Sequence, residues 1–383
     1  MARQQIFSDF DDSTRLGREL IAKLHEKYVP ACEKYGESEQ AALALYFLPH
    51  GSKKAVLEPT RPRVVKWYCP FADQRIFPSG HRYCINVYTG CEYGCVYCYA
   101  NGYLAETKPK AKEHFRRDLL RDLDDLDRFD VPSAPVHLSN STEALQPIET
   151  VRRDTLFTLQ NLSERRHRFT SVTFLTKNPA MLLEDDYLKT LQKLNRLKSD
   201  HPKCDFFCQS DTPPLRVECS LAFYREEARK LFDSRAPSVA KRMEAIRELC
   251  REGIPVTVRI DPLFPRNPLP GGLMMKDFDF FDFQSETDLN TLVDFCAEAG
   301  VRRMVYSVAK ITKPRFGALP ESMQKLRRIY EHLAGTPRLE FRGGSWRLPF
   351  SIGEEFIVRP LRFRCEEKEL PLFACKENLL GTP

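Results

Sequence analysis

Residues 88–99 read YTGCEYGCVYCY. Three cysteines, Cys91, Cys95 and Cys98, fall within eight residues in the spacing CxxxCxxC, in a loop opened by Thr89-Gly90 and relaxed by Gly94. Glycine lets the backbone curl, so the three side chains can converge. A tetrahedral zinc site wants a fourth Cys or His, usually as a second pair, and the nearest candidates, Cys84 and His114, form no such pair. An iron–sulfur cube, by contrast, can be held by three thiolates that leave one iron open. Three thiols this close in a glycine-containing loop serve no packing purpose. The spacing alone therefore favours a cluster and leaves zinc as the rival.

Outward from the loop, residues 80–335 alternate short β-branched runs with longer segments of helical period, the pattern of βα units on a parallel sheet. Six strands are expected: RYCINVY (82–88), APVHLSN (134–140), SVTFLTK (171–177), LRVECSLA (215–222), PVTVRID (255–261) and RRMVYSV (302–308). Between them, apolar positions recur every three or four residues, as in Tyr187, Leu188, Leu191 and Leu194, or Leu289, Leu292, Val293 and Cys296. Two helices end in a glycine stop, CREG and AEAG, each followed at once by a strand. Six successive right-handed units predict an α/β fold, an open or partial (βα)6 barrel with active-site groups at the C-terminal strand ends.

Residues 1–79 read as an N-terminal extension with helical segments at Thr14–Tyr35 and Glu39–Phe47, and residues 336–383 as an irregular C-terminal extension. The 383 residues, 42% hydrophobic and 29% charged, suffice for a large core. No apolar run approaches the ~20 residues of a membrane span, and the opening MARQQIFSDFDDS lacks an apolar export segment, so a cytoplasmic location without membrane contact is expected. Thirteen cysteines then read as reduced thiols, some of them metal ligands, rather than a disulfide framework. A net charge of +6 permits nucleic-acid binding without demanding it.

The strings NVYTGCEYGCVYCYAN, LSNSTEALQPIE, FLTKNP and SRAPSVAKRMEAIRELCREGIPVTVRIDPLFP resemble the radical S-adenosylmethionine (SAM) enzymes similar to spore photoproduct lyase, over roughly residues 80–310. The resemblance implies a radical SAM partial barrel in which Cys91, Cys95 and Cys98 hold a 4Fe–4S cluster and SAM chelates the open iron. Reductive cleavage then yields a radical that abstracts hydrogen, with an external electron donor as partner. Carried over, Tyr97, Asn140, Thr142, Glu143, Lys177, Ser220 and Arg259 are cofactor-site residues. The polar ones read equally as caps or turn formers, except Lys177, because a lysine at the inner end of a buried strand is costly without an anion. Arg259 and Asp261 share one strand face and read equally as an ion pair. Gln146, Pro147 and Glu149 belong to the motif with no assigned chemistry.

One departure stands out. The lyases place a hydrogen-donor cysteine where Asn140 stands here, and Cys219 or Cys208 is the candidate substitute, against a reading as buried spectator thiols. Cys365 and Cys375 suggest an auxiliary metal or redox site with Cys69 or Cys84. Basic groups gather in residues 108–121, 164–168 and 51–68, the last interleaved with Trp67 and Tyr68 in a manner suited to phosphates and bases. A nucleic-acid substrate is thus one reading, a peptide or small molecule the second, and a non-catalytic zinc or cluster module the third. The oligomeric state is not legible.

Overall fold

The structure, a computed structural model, describes residues 64–65, 83–103, 108–128, 135–165, 169–196, 213–265, 284–335, 339–342 and 344–375. The expected helices before residue 50, and Cys69 and Cys208, lie outside them.

Strand and helix alternate as the periodicity predicts. The main strands are β1 (Tyr83–Ile85), β2 (Val136–Leu138), β3 (Val172–Thr176), β4 (Leu215–Ser220), β5 (Val256–Leu263), β6 (Arg303–Val308) and β7 (Leu372–Ala374). The longer helices are α1 (Phe115–Arg128), α2 (Asp154–Glu164), α3 (Asp185–Arg196), α4 (Val239–Arg251), α5 (Glu286–Glu298), α6 (Glu321–Ala334) and α7 (Arg359–Glu367), and short ones include Glu226–Phe232 just before Asp233. Local chemistry sets their ends. Ser238 caps α4 by accepting from the Lys241 N–H, and Ser285 with Asp288 forms a reciprocal capping box on α5. After α4 the Ile254 N–H reaches back to the Leu249 carbonyl at 3.0 Å, and after α5 Val301 does the same to Cys296, so each helix turns directly into a strand.

The seven strands form one parallel sheet in the order β1-β2-β3-β4-β5-β6-β7. Its first six are the strands read from the sequence, and the seventh comes from the segment after residue 335. β1 and β7 stay unpaired with each other, so the barrel is open.

Register places side chains in rows. Cys84, His137, Thr173 and Arg216 share one row. Leu175, Glu218, Thr257 and Arg303 share the next, and Ser220, Arg259, Val305 and Phe373 the one beyond. Alternate strand residues therefore point to opposite faces. Leu215, Val217, Val256, Val258, Ile260 and Met304 join the helices in a continuous apolar core, whereas Arg216, Glu218, Arg259 and Arg303 line the concave side.

A buried carboxylate anchors the segment that leads into the cysteine loop. Glu149, wholly buried, accepts from the backbone N–H groups of Thr155 and Leu156 in the first turn of α2, and from the hydroxyls of Tyr88 and Tyr187. Negative charge there opposes the positive end of the helix. Burial, then the bond to Glu149, pushes both phenols well above their usual range. Replacing Glu149 by Gln removes the charge from these bonds, and urea unfolding should show a loss of about 1.5–3 kcal/mol, the range for hydrogen bonds to charged groups.

Candidate active site

The concave face encloses a cavity of about 330 Å³ that reaches from the cysteine loop, beyond the C-terminal strand ends, down to Arg216 and Arg303 near the strand starts. Cys91, Cys95 and Cys98 all lie on its wall, and Tyr93, Ala236 and Tyr97 pack against them.

The loop's path is fixed by its neighbours. Gly90 (φ +78°) and Gly94 (φ +57°) take the left-handed backbone that other residues avoid, and so turn the chain on either side of Cys91. Gln146, wholly buried, accepts from the Glu92 N–H at 2.9 Å and donates to the Gly90 carbonyl at 3.2 Å. That clamp is the work of a motif residue whose chemistry is not legible from the sequence alone. Tyr93 donates to the Leu145 carbonyl, the Val96 N–H to Phe232, and Asn101 Nδ2 to the Cys95 carbonyl at 3.1 Å.

Burial raises all three thiol pKa values, Cys98 to about 11, so ligation must displace their protons. Among the described residues, no group of three or more His, Cys, Asp or Glu could hold a single metal ion. The thiols share a cavity wall instead. A donor set of three soft sulfurs beside open space fits an iron–sulfur cluster. Ser139 adds a second sign of a ligand: its hydroxyl is buried on the cavity wall and finds no partner among the described residues. Cys84 is buried in β1 and His114 pairs with Glu113 at 3.2 Å, so neither borders the cavity.

Lys177, just after β3, meets Asp233, a residue that nothing local in the sequence marks. Its Nζ donates to the Tyr97 hydroxyl at 2.8 Å and lies 3.5 Å from the Asp233 carboxylate. Asp233, wholly buried, also accepts from Tyr97 and from Arg242 on α4 at 3.3 Å. Burial alone would raise the Asp233 pKa, but Lys177 and Arg242 outweigh it and hold the carboxyl below its ordinary value. Burial likewise works against the Lys177 ammonium, and Asp233 reverses the effect.

The other expected residues are placed as follows. Glu143 accepts from the Thr176 hydroxyl and the Lys177 N–H, both at 2.7 Å, and from the Leu145 N–H. Asn140 accepts from Asn86 Nδ2 at 2.6 Å and, through its carbonyl, from Tyr99. Thr142 donates to the Tyr88 carbonyl, and Ser220 sits on the wall. Arg259 donates to Glu218 at 2.7 Å, to Asp261 at 3.1 Å and to Cys375 Sγ at 3.3 Å. Cys219 does not reach the cavity: one residue out of phase with Glu218 and Ser220, it faces the apolar core near Cys250 and Cys296. The further thiol on the wall among the described residues is Cys375, while Cys365 packs against Met304 Sδ in the core. The signal for the missed wall residues Arg216 and Glu218 was present as their period-two spacing with Ser220 in LRVECS.

Three arginines of the basic segments are spent locally. Arg116 pairs with Asp154, Arg117 with Asp118, and Arg165 with Asp124 and Asp127.

A parallel, open α/β barrel whose first strand delivers CxxxCxxC into a cavity defines a class, and residues 85–268 match the family model described as Radical SAM superfamily. That match spans just under half of the chain and marks residues 85–268 as a radical SAM domain. Such a domain implies an iron–sulfur cluster and SAM, and works with a reductant. Among particular relatives, an uncharacterized protein of Methanocaldococcus jannaschii is 24% identical over 186 residues, 49% of this chain and 62% of its own. Spore photoproduct lyase complexed with dinucleoside spore photoproduct is similar with a TM-score of 0.52 at 14% identity, covering 94% of both chains. A mutant of the same enzyme with bound AdoMet and dinucleoside spore photoproduct gives 0.51 at 13% identity over the same shares. These likenesses show the fold. No helix among the described residues is long and apolar enough to cross a membrane.

The Asp233 contacts define a measurable energy. Asp233→Asn should lower stability by about 3–5 kcal/mol in urea unfolding, because it strands two buried cations. Combining Lys177→Met with Asp233→Leu should cost less than the sum of the single changes, the coupling expected of residues in contact.

Proposed function

We propose that the chain is a hydrogen-abstracting radical SAM enzyme of the spore photoproduct lyase type, acting on a component of nucleic acid. The observation that carries this reading is that three loop thiols share one cavity wall with Asn140, Glu143, Lys177, Ser220 and Arg259 at the C-terminal side of a parallel sheet. Cys91, Cys95 and Cys98 would hold a 4Fe–4S cluster. When bound and reduced, cluster and SAM supply a carbon-centred radical able to take a hydrogen atom from an unactivated position.

The chain's own groups supply binding and enclosure. Lys177 presents a cation that Asp233 keeps charged, and Tyr97 bridges the two from the cysteine loop. Ser139 and Ser220 offer hydroxyls to a polar ligand on the wall. The nucleic-acid component rests on the fold likeness to a lyase solved with a dinucleoside. A small molecule or peptide is the second reading. It is favoured by Asn140 at the lyase's thiol position and by the local pairing of Arg116, Arg117 and Arg165.

Anaerobic reconstitution tests the chemistry. The protein should absorb near about 400 nm, as iron–sulfur clusters do, and release 5′-deoxyadenosine from SAM once reduced. Cys95→Ala should abolish both, and undiminished release would refute the ligand assignment. Oligonucleotide affinity measured from low to high salt separates the substrate readings. A steep fall supports nucleic acid, whereas a flat response or no binding supports the small molecule.

A further inference from the structure

Charge in the lower half of the cavity is unbalanced. Arg216 enters from the first inward row of β4, with Glu218 and Arg303 in the row above it. Among the described residues two wall carboxylates, Glu218 and Asp261, pair with Arg259 at 2.7 and 3.1 Å, and Glu218 attracts Arg216 and Arg303 only from beyond ion-pair distance. Arg216 has no hydrogen bond or ion pair among the described residues, and its Nε is buried without a partner. Arg303 donates from Nε to the Thr257 hydroxyl at 3.2 Å and lies over the Phe373 ring, with no carboxylate in ion-pair contact among the described residues. His137, in the row of Arg216, is held neutral by burial, its pKa pushed down to about 4. Burial and then the nearness of Arg216 hold the Arg303 guanidinium down to about 10, so the free protein keeps these cations together at a cost.

We propose that Arg216 and Arg303 form an oxyanion subsite in the lower half of the cavity, so that the substrate is a molecule carrying a phosphoryl or carboxylate group. This deepens the proposed function and rests on the same cavity being the substrate site. Each guanidinium offers a planar fork of donors that matches such a group in a bidentate way. Inward positions on a strand recur about every 7 Å, so an anion held at Arg216 and Arg303 leaves the upper rows to the reacting end, beneath the cysteine loop. The anchor and the chemistry thus occupy opposite ends of one cavity.

Titration calorimetry on the full chain tests this, with inorganic phosphate in one arm and acetate in the other, each at constant ionic strength balanced by chloride. Saturable binding of one anion per chain is expected. Tighter phosphate binding identifies a phosphoryl group on the substrate, and tighter acetate binding a carboxylate. Arg216→Gln and Arg303→Gln should each weaken binding about tenfold or more, as loss of a charge-assisted contact does, while Arg251→Gln, exposed and paired with Glu248, should not. Should Arg216→Gln fail to fold by circular dichroism, Arg216→Lys keeps the charge and volume without the fork and should still bind more weakly. Absence of saturable binding by both anions, or wild-type affinity in the Arg216 and Arg303 variants, overturns the subsite. Binding is read without SAM. Intact phosphate binding with no 5′-deoxyadenosine release would therefore fell the radical reading and spare the subsite, and the reverse result would do the opposite.

Discussion

The Asp233 carboxylate joins three parts of the chain that are far apart in sequence. It receives Tyr97 from the cysteine loop, Lys177 from the end of β3 and Arg242 from α4, and it sits one residue after Phe232, whose carbonyl accepts the Val96 N–H. A buried carboxylate is tolerated only where cations and donors surround it. That requirement works in both directions: the charges need one another, and the loop that carries the thiols is held where the charges meet. Gln146 and Glu149 complete the support from β2's side, the first by clamping Gly90 and Glu92, the second by tying Tyr88 to α2 and α3.

The sheet contributes the complementary constraint. Each strand of an open parallel barrel has an apolar outer face for the helices and an inner face turned to a cavity. In β4 the outer positions are Leu215, Val217 and Cys219, and the inner ones Arg216, Glu218 and Ser220. Single-residue phase thus decides chemistry. Cys219 and Ser220 are adjacent in the chain, yet one is a core thiol and the other a wall hydroxyl. Cys375, far along the sequence, reaches the wall because β7 pairs with β6 and its own N–H bonds to the Tyr306 carbonyl at 2.7 Å.

The cavity's polarity runs lengthwise. Thiols, Glu143 and Lys177 occupy the end beyond the strands, and Arg216 and Arg303, without ion pairs, occupy the other. Several surface cations, by contrast, are matched by nearby acids, as Arg165 is by Asp124 and Asp127. The positive charge of Arg216 and Arg303 sits inside, where the dielectric is low and an anion gains most from it.

The sequence by itself determined the order and type of the elements, because hydrophobic period and glycine stops are local signals. It also determined the thiol loop, because three ligand positions within eight residues need no tertiary information to be seen. Tertiary structure alone decided which polar residues meet. Asp233 follows α-helical residues with nothing local to mark it, and its partners lie 136, 56 and 9 positions away. Lys177 carried half of that answer, since a buried strand-end lysine demanded an anion, but the demand did not name the supplier. Arg216, Arg303 and Cys375 were likewise invisible as a group, because they converge only through the register of four parallel strands. Local propensity is written along the chain, whereas electrostatic pairing depends on distances that exist only once the sheet is assembled.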